Sequence, residues 1–290
     1  MDGIVLSIVL ASALLHACWN YLTKKSLRKT AFLWWTLLVA SFLFFPMLLF
    51  YWPESGIDSR GCICILASSF AHAFYFRFLG GAYERGDLSL VYPLSRGFGP
   101  LLIPILAVTL MHERLTPLGI FGIAAIVCGI YVIHLRSFSL YSLFEPFLAL
   151  RGGASLWAIL TGSAIASYSL VDKVGVTTVH PPVYIYLMLV GTFLLLTPFV
   201  LVGQRATLMR EWTANRNSIL IVGFLSNFTY LMILFAMRMS KVSYVSAVRE
   251  VSIVFSALFG ILWLDEAHAR IKLAGALLIA LGVVLIGASH

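Results

Sequence analysis

At 290 residues the chain could form one or two soluble domains, but 61% of it is apolar and only 11% is charged, too few charges to cover a soluble surface of that size. A mean hydropathy of +0.97 excludes soluble enzymes, nucleic-acid-binding modules and disordered scaffolds, and assigns the chain to a bilayer. The net charge of +8 then reads as Lys and Arg gathered in loops that set membrane orientation, with no nucleic acid as partner.

A helix crossing the hydrocarbon core needs about 20 mostly apolar residues. Ten such stretches follow one another: Ile4–Thr23, Ala31–Tyr51, Cys62–Tyr83, Leu88–Met111, Leu118–Leu135, Gly153–Val171, Pro182–Gly203, Ser218–Met237, Val242–Leu264 and Ile271–Ala288. The longest connections, Arg136–Arg151 and Gln204–Asn217, leave almost no room for a catalytic domain outside the membrane. The start Met1-Asp2-Gly3 lacks the basic region of a cleaved signal, and Leu15-His16-Ala17-Cys18 is a poor lipoprotein box for the same reason. Cys18, Cys62, Cys64 and Cys128 fall in apolar stretches without metal-ligand spacing and read as packed free thiols. No metal or other cofactor is implied.

The chain repeats itself. Arg96 is followed seventeen residues later by Glu113, and Arg249 seventeen residues later by Glu266; the same offset of 153 pairs Gly122 with Gly275 and Gly129 with Gly282. An offset of 149 brings Trp19 onto Tyr168 and Lys24 onto Lys173. The expected organisation is therefore a first five-helix unit at 1–137, a connecting loop at 138–151 and a second unit at 152–290. Five crossings per unit force the second copy in upside down, so the fold class is all-α, a ten-helix polytopic membrane protein built as two inverted repeats around a central cavity. Such a design exchanges inward- and outward-open states, with the substrate near the midplane between the repeats. No phosphate-cradling GxxxxGK[ST] loop is present, which disfavours ATP-driven pumping.

Ionisable side chains well inside a span are costly and usually face a cavity or a partner. Arg96 lies about eight residues into the fourth span, among Pro93, Gly97, Gly99 and Pro100, which can open the helix, and Arg249 and Glu250 lie about six to seven residues into the ninth, the equivalent helix of the repeat. If Glu250 neutralises one arginine, the other is free for a carboxylate or phosphate-like group, which a guanidinium grips at two points. Glu250 and His72, near the middle of the third span, are the candidate proton-coupling residues. His16 and Asn20, one helical turn apart with Trp19 adjacent, form a polar stripe on the first span, and Tyr168 is their sixth-span counterpart. Asn227 and Tyr230 share a face of the eighth span. Asp172-Lys173, at a helix end, reads as an interfacial salt bridge. Glu113 with Arg114 and Asp265 with Glu266 read as helix-end charges or turn caps.

Several of these segments resemble a known family. His16-Ala17-Cys18-Trp19-Asn20 with Lys24, the run Gly86 to Gly97 that contains Tyr92-Pro93 and Arg96, His112-Glu113-Arg114-Leu115-Thr116, Ser169-Leu170-Val171-Asp172-Lys173, and Val248-Arg249-Glu250 with Asp265-Glu266 are similar to EamA-type members of the drug/metabolite transporter superfamily. The second half departs from the first in having Ala267-His268 where Arg114-Leu115 stands. The resemblance implies a basket of ten helices that moves small metabolites, often outward, by alternating access, in an inner membrane. It adds Tyr92 to the expected substrate-binding set of His16, Trp19, Asn20, Arg96, Tyr168, Asn227, Tyr230, Arg249 and Glu250.

The expected function is secondary transport, not enzymatic catalysis, of a small anionic or zwitterionic solute such as an amino acid, by a monomer or homodimer whose partners are that solute and the lipid bilayer. A flippase for a phosphate-bearing lipid and an intramembrane lipid-modifying enzyme are the alternatives. Orientation is divided. Twelve basic residues on the side reached after the first span, against five on the other, put both termini outside the cytoplasm, whereas the resemblance implies both inside.

Overall fold

The computed structural model describes residues 1–24, 26–85, 88–135, 137, 153–264 and 269–289, and within them the side chains outside 24, 80, 83–85, 88–94, 153–154, 203–206, 259–264 and 269. The expected connector 138–151 and the departure at Ala267-His268 lie outside these residues. The described elements are all helical: α1 (Gly3–Lys24), α2 (Lys29–Leu43), α3 (Phe45–Tyr51), α4 (Ser59–Arg85), α5 (Leu88–Met111), α6 (Pro117–Ile133), α7 (Gly153–Thr178), α8 (Pro181–Met239), α9 (Val242–Arg249), α10 (Val251–Leu264) and α11 (Ala269–Ala288).

Ten crossings result. α2 and α3 form one span with a break at Phe44, where Pro46 begins the next turn without an N–H to continue the ladder. α9 and α10 form another, and α8 supplies two. Among the described residues, six stretches are long and apolar enough to cross on length and hydropathy alone. Side chains such as Val202 (91% exposed), Phe50 (84%) and Phe42 (73%) stand on the outer surface, where acyl chains replace water.

The helical run α8 passes through the stretch expected as the Gln204–Asn217 loop. It cannot be straight. Tyr184 and Tyr230 both donate to the carboxylate of Asp172, yet a straight helix would separate them by about 70 Å. The adjacent Trp34 and Trp35 reach one arm each, through Thr197 Oγ1 (3.0 Å) and the Leu208 carbonyl (2.9 Å), so the chain doubles back between those positions. Glu211, in the expected loop, is fully buried because it caps α2: its carboxylate accepts from the N–H groups of Leu27 (3.2 Å) and Arg28 (2.7 Å).

The inversion of the two halves is visible where α6 meets α11. A Cβ on Gly122 would lie 2.8 Å from the Gly282 carbonyl oxygen, and one on Gly129 would lie 2.7 Å from that of Gly275. The duplication equates Gly122 with Gly275 and Gly129 with Gly282, so each glycine meets the partner of the other. Helices that pair in this crossed register run antiparallel about a two-fold axis, as two inverted copies must. The missing side chains let the backbones touch. The Met1 amino group donates to the carbonyls of Ile286 (3.2 Å) and Ser289 (2.7 Å), which puts both chain ends at one side, as an even number of crossings requires.

One turn ties the repeats together. α5 ends with His112 at φ +56° and with the Glu113 N–H donating to the Ala107 carbonyl (3.1 Å), a left-handed helix stop. Glu113 is thereby thrown across to the other repeat, where its carboxylate accepts from the N–H groups of Val242 (2.7 Å) and Ser243 (3.3 Å) and from Ser243 Oγ (2.6 Å). The sequence expectation of a turn cap holds for Glu113, but the helix it caps is α9 of the second unit.

Candidate functional site

Each repeat sends its first, third and fourth helices to the centre: α1, α4 and α5 from one, α7, the second arm of α8 and α9/α10 from the other. Three buried charges sit where α5 faces the α9/α10 break. Arg96, Arg249 and Glu250 are 9%, 5% and 2% exposed, deep enough that each charge needs a partner. Arg96 Nη2 lies 3.1 Å from Glu250 Oε2 and donates weakly to Ser252 Oγ at 3.4 Å. Arg249 Nε lies 3.9 Å from Glu250 Oε1 and, though buried, has no hydrogen-bond partner among the described residues.

The asymmetry is written in the sequence. The offset that equates Arg96 with Arg249 also equates Glu250 with Gly97, so the first copy has no carboxylate to return the pairing. The helix break also differs from expectation. Pro93, Gly97, Gly99 and Pro100 were the residues expected to open a span, yet α5 is continuous through them, and the break falls at Glu250, which ends α9 with its N–H on the Ala247 carbonyl (3.1 Å). A proline inside a helix can be carried by neighbours in a protein interior, and the break at Glu250 is a single residue, itself in right-handed helical conformation (φ −70°, ψ −6°), beside Arg96.

Beside this charged group stands an aromatic layer. His72 of α4 stacks on Tyr168 of α7 (centroids 4.0 Å apart) and meets Tyr230 of α8 edge-on at 5.4 Å, while Tyr75 meets Tyr168 edge-on at 5.9 Å. His72 Nδ1 is held within 2.9 Å of the Ser68 carbonyl, so the ring orientation is fixed by its own helix. Tyr168 and Tyr230 are within electrostatic range of Arg249, and His16 is within range of both arginines.

His16 meets Trp19 edge-on at 4.6 Å, and the buried Trp19 Nε1 has no hydrogen-bond partner among the described residues. Asn20 is half-buried one turn along. Asn227 spends its amide on the Gly223 carbonyl (3.0 Å) and Ser226 Oγ (3.3 Å) of its own helix. The side chain of Tyr92 lies outside the described residues.

Asp172 is where the sequence expectation fails. It is fully buried and forms no salt bridge with Lys173. Its carboxylate accepts from Tyr184 Oη (2.8 Å) and, very closely, from Tyr230 Oη. Lys173 points the other way, onto the carbonyls of Met237 (2.5 Å) and Ser240 (2.8 Å) at the end of α8. Adjacent helix positions lie about 100° apart, so neighbours in sequence need not share an environment. The clue that was available is Tyr168, four residues earlier and hence on the same face as Asp172.

A ten-helix inverted repeat with an arginine-bearing polar centre at the repeat interface defines the architecture of a membrane transporter. The chain belongs to the EamA-like transporter family, whose pattern it matches over residues 3–135 and again over 153–288, and so to the drug/metabolite transporter superfamily. It is also similar to a solved structure described only as the crystal structure of a protein, at 15% identity, TM-score 0.78, covering 98% of this chain and 96% of that one; this likeness bears on the fold alone.

Proposed function

We propose that this transporter exports a small anionic or zwitterionic solute, of amino-acid type, across a bacterial inner membrane by alternating access, with Arg249 as receptor for the solute's carboxylate. The observation that carries the reading is the buried Arg249 Nε without a hydrogen-bond partner, opposite a glycine where symmetry would put an acid. Glu250 sits closer to Arg96 (3.1 Å) than to Arg249 (3.9 Å), which leaves the second guanidinium the more open to an incoming anion. Tyr168, Tyr230 and His16 lie beside it, with Trp19, Asn20, Asn227 and Tyr92 as further wall. Glu250 and His72 are ionisable neighbours of the receptor that can take part in coupling solute binding to a proton. The working unit is one chain, alone or as a homodimer, divided as 1–137, 138–151 and 152–290.

The test is counterflow in liposomes containing the purified protein, with a panel of labelled amino acids, short carboxylates and amines. Arg249→Gln is expected to lower carboxylate exchange at least about tenfold, as loss of a charged hydrogen-bonding partner does. Exchange of every carboxylate at the parent rate in a correctly inserted Arg249→Gln variant would overturn the reading.

A second reading, movement of a phosphate-bearing lipid, draws support from a groove of about 360 Å³ between α4 and α7, lined by Ala71, Phe74, Phe78, Leu160, Ser163 and Ser167 among others. Its lining is mostly apolar and Phe74 is 53% exposed, as a lateral lipid path requires. Protein-dependent scrambling of a fluorescent phospholipid that is lost in Arg249→Gln favours this reading over the first.

A further inference from the structure

The buried carboxylate of Asp172 is held by phenols. Among the described residues its hydrogen-bond partners are the two phenols of Tyr184 and Tyr230, which come from the two arms of α8, and no lysine or arginine reaches it. The carboxylate is fully buried about 9 Å, or six residues at 1.5 Å each, from the end of α7. A carboxylate so placed is stable when ionised only while strong donors hold it, and is otherwise neutral.

We propose that Asp172 is the proton-loading site of the transporter and that Tyr230 transmits its charge state to the solute site; this rests on the transport reading above. The proton taken up from one side attaches to a carboxylate oxygen, and the same proton leaves to the other side, so the cycle balances without any further reactant. While Asp172 is ionised, the charge-assisted bond from Tyr230 fastens the second arm of α8 to α7. Protonation weakens that bond and frees a phenol that touches His72 and Tyr168, the aromatic pair beside Arg249.

Among the described residues, the groups near the carboxylate come from α7, α8 and α4, with Arg249 beyond them. On α7 they are Tyr168, one turn away, and Lys173, which is held by the Met237 and Ser240 carbonyls. The arms of α8 contribute Tyr184 and Tyr230. From α4 come Cys64, whose carbonyl accepts from Tyr184 Oη at 3.3 Å, with Ser68 and His72; Arg249 lies beyond Tyr230. His72 meets Tyr230 edge-on at 5.4 Å, so a shift of that phenol is felt in the aromatic layer beside Arg249.

The first arm of the experiment needs no solute. Infrared difference spectra of the full chain in lipid nanodiscs, recorded as pH is stepped, are expected to show a protonated-carboxyl band that titrates in the parent, is absent in Asp172→Asn and is displaced in Tyr230→Phe. The displacement in Tyr230→Phe keeps the test decisive if Asp172→Asn does not fold. The second arm uses an equimolar mixture of labelled L-amino acids in liposomes. The ratio of pH-gradient-driven uptake to equal-pH exchange is expected to fall about tenfold in Asp172→Asn, within the usual range for coupled sites. A band that persists unchanged in Asp172→Asn, a ratio equal to the parent's, or driving by a sodium gradient in place of the pH gradient overturns the proposal. If the parent exchanges nothing, it is the transport reading that fails, and the infrared result still decides whether Asp172 binds the proton.

Discussion

Arg96 of one repeat and Glu250 of the other lie 3.1 Å apart where the repeats meet, and the symmetry that relates the repeats gives this pair no second copy. Removing one partner of a buried pair leaves the other charge uncompensated, which costs about 3–5 kcal/mol, whereas removing both is far milder. Thermal unfolding in detergent should therefore rank Arg96→Gln and Glu250→Gln well below the parent, with the Arg96→Gln/Glu250→Gln double variant above either. Additive losses in the double variant would mean that the two side chains are stabilised by other contacts.

The missing copy can be supplied. A Cβ on Gly97 meets nothing nearer than Ile130 Cγ2 at 3.8 Å, so there is room to begin a side chain there. Gly97→Glu is expected to fold, to pair with Arg249 and to lower carboxylate exchange to the level of Arg249→Gln, while Gly97→Ala stays near the parent. Undiminished exchange in Gly97→Glu would show that Arg249 is not the receptor.

At the α6–α11 contact the space is closed by backbone, not by movable side chains. A Cβ on Gly275 would lie 2.6 Å from the Ile133 nitrogen and 2.7 Å from the Gly129 carbonyl oxygen. Gly275→Ala should destabilise by at least the 1–3 kcal/mol typical of overpacking, because two main chains must part. Gly3→Ala, with nothing within 4 Å of the added carbon, is the control. Melting temperatures in detergent measure both.

Much of the fold was legible in the sequence. Hydrophobic length gave the ten crossings, and the offset of 153 between Arg96 and Arg249 gave the inversion, because both are properties of the linear chain. What the chain could not reveal was rotation. Asp172 and Lys173 look like a pair when read in order, yet about 100° of helix separates them, and one faces the core while the other reaches the end of α8. The expected loop before Ser218 failed for a related reason: Glu211 looks like a loop charge until α2 arrives to be capped by it. Helix breaks were similarly misread: proline and glycine in α5 mark where a helix can open, yet α5 runs on through them and the break falls at Glu250, beside Arg96.

Glu113 offers a test of how the repeats are held. Its carboxylate caps α9 across the repeat interface through Val242 and Ser243, and Lys241 Nζ donates to the Arg114 carbonyl (2.5 Å) in the same contact. Losing a helix cap costs about 0.5–2 kcal/mol wherever it occurs. This cap also has to break whenever the repeats part on that side, so its loss should favour the state open there. In a protein with Cys18, Cys62, Cys64 and Cys128 replaced by serine, a cysteine at Ser246, buried one turn into α9, should react faster with a membrane-impermeant maleimide in Glu113→Ala than with Glu113 present. Equal rates in both, alongside a lower melting temperature, would mean that Glu113 stabilises α9 without holding the two repeats together.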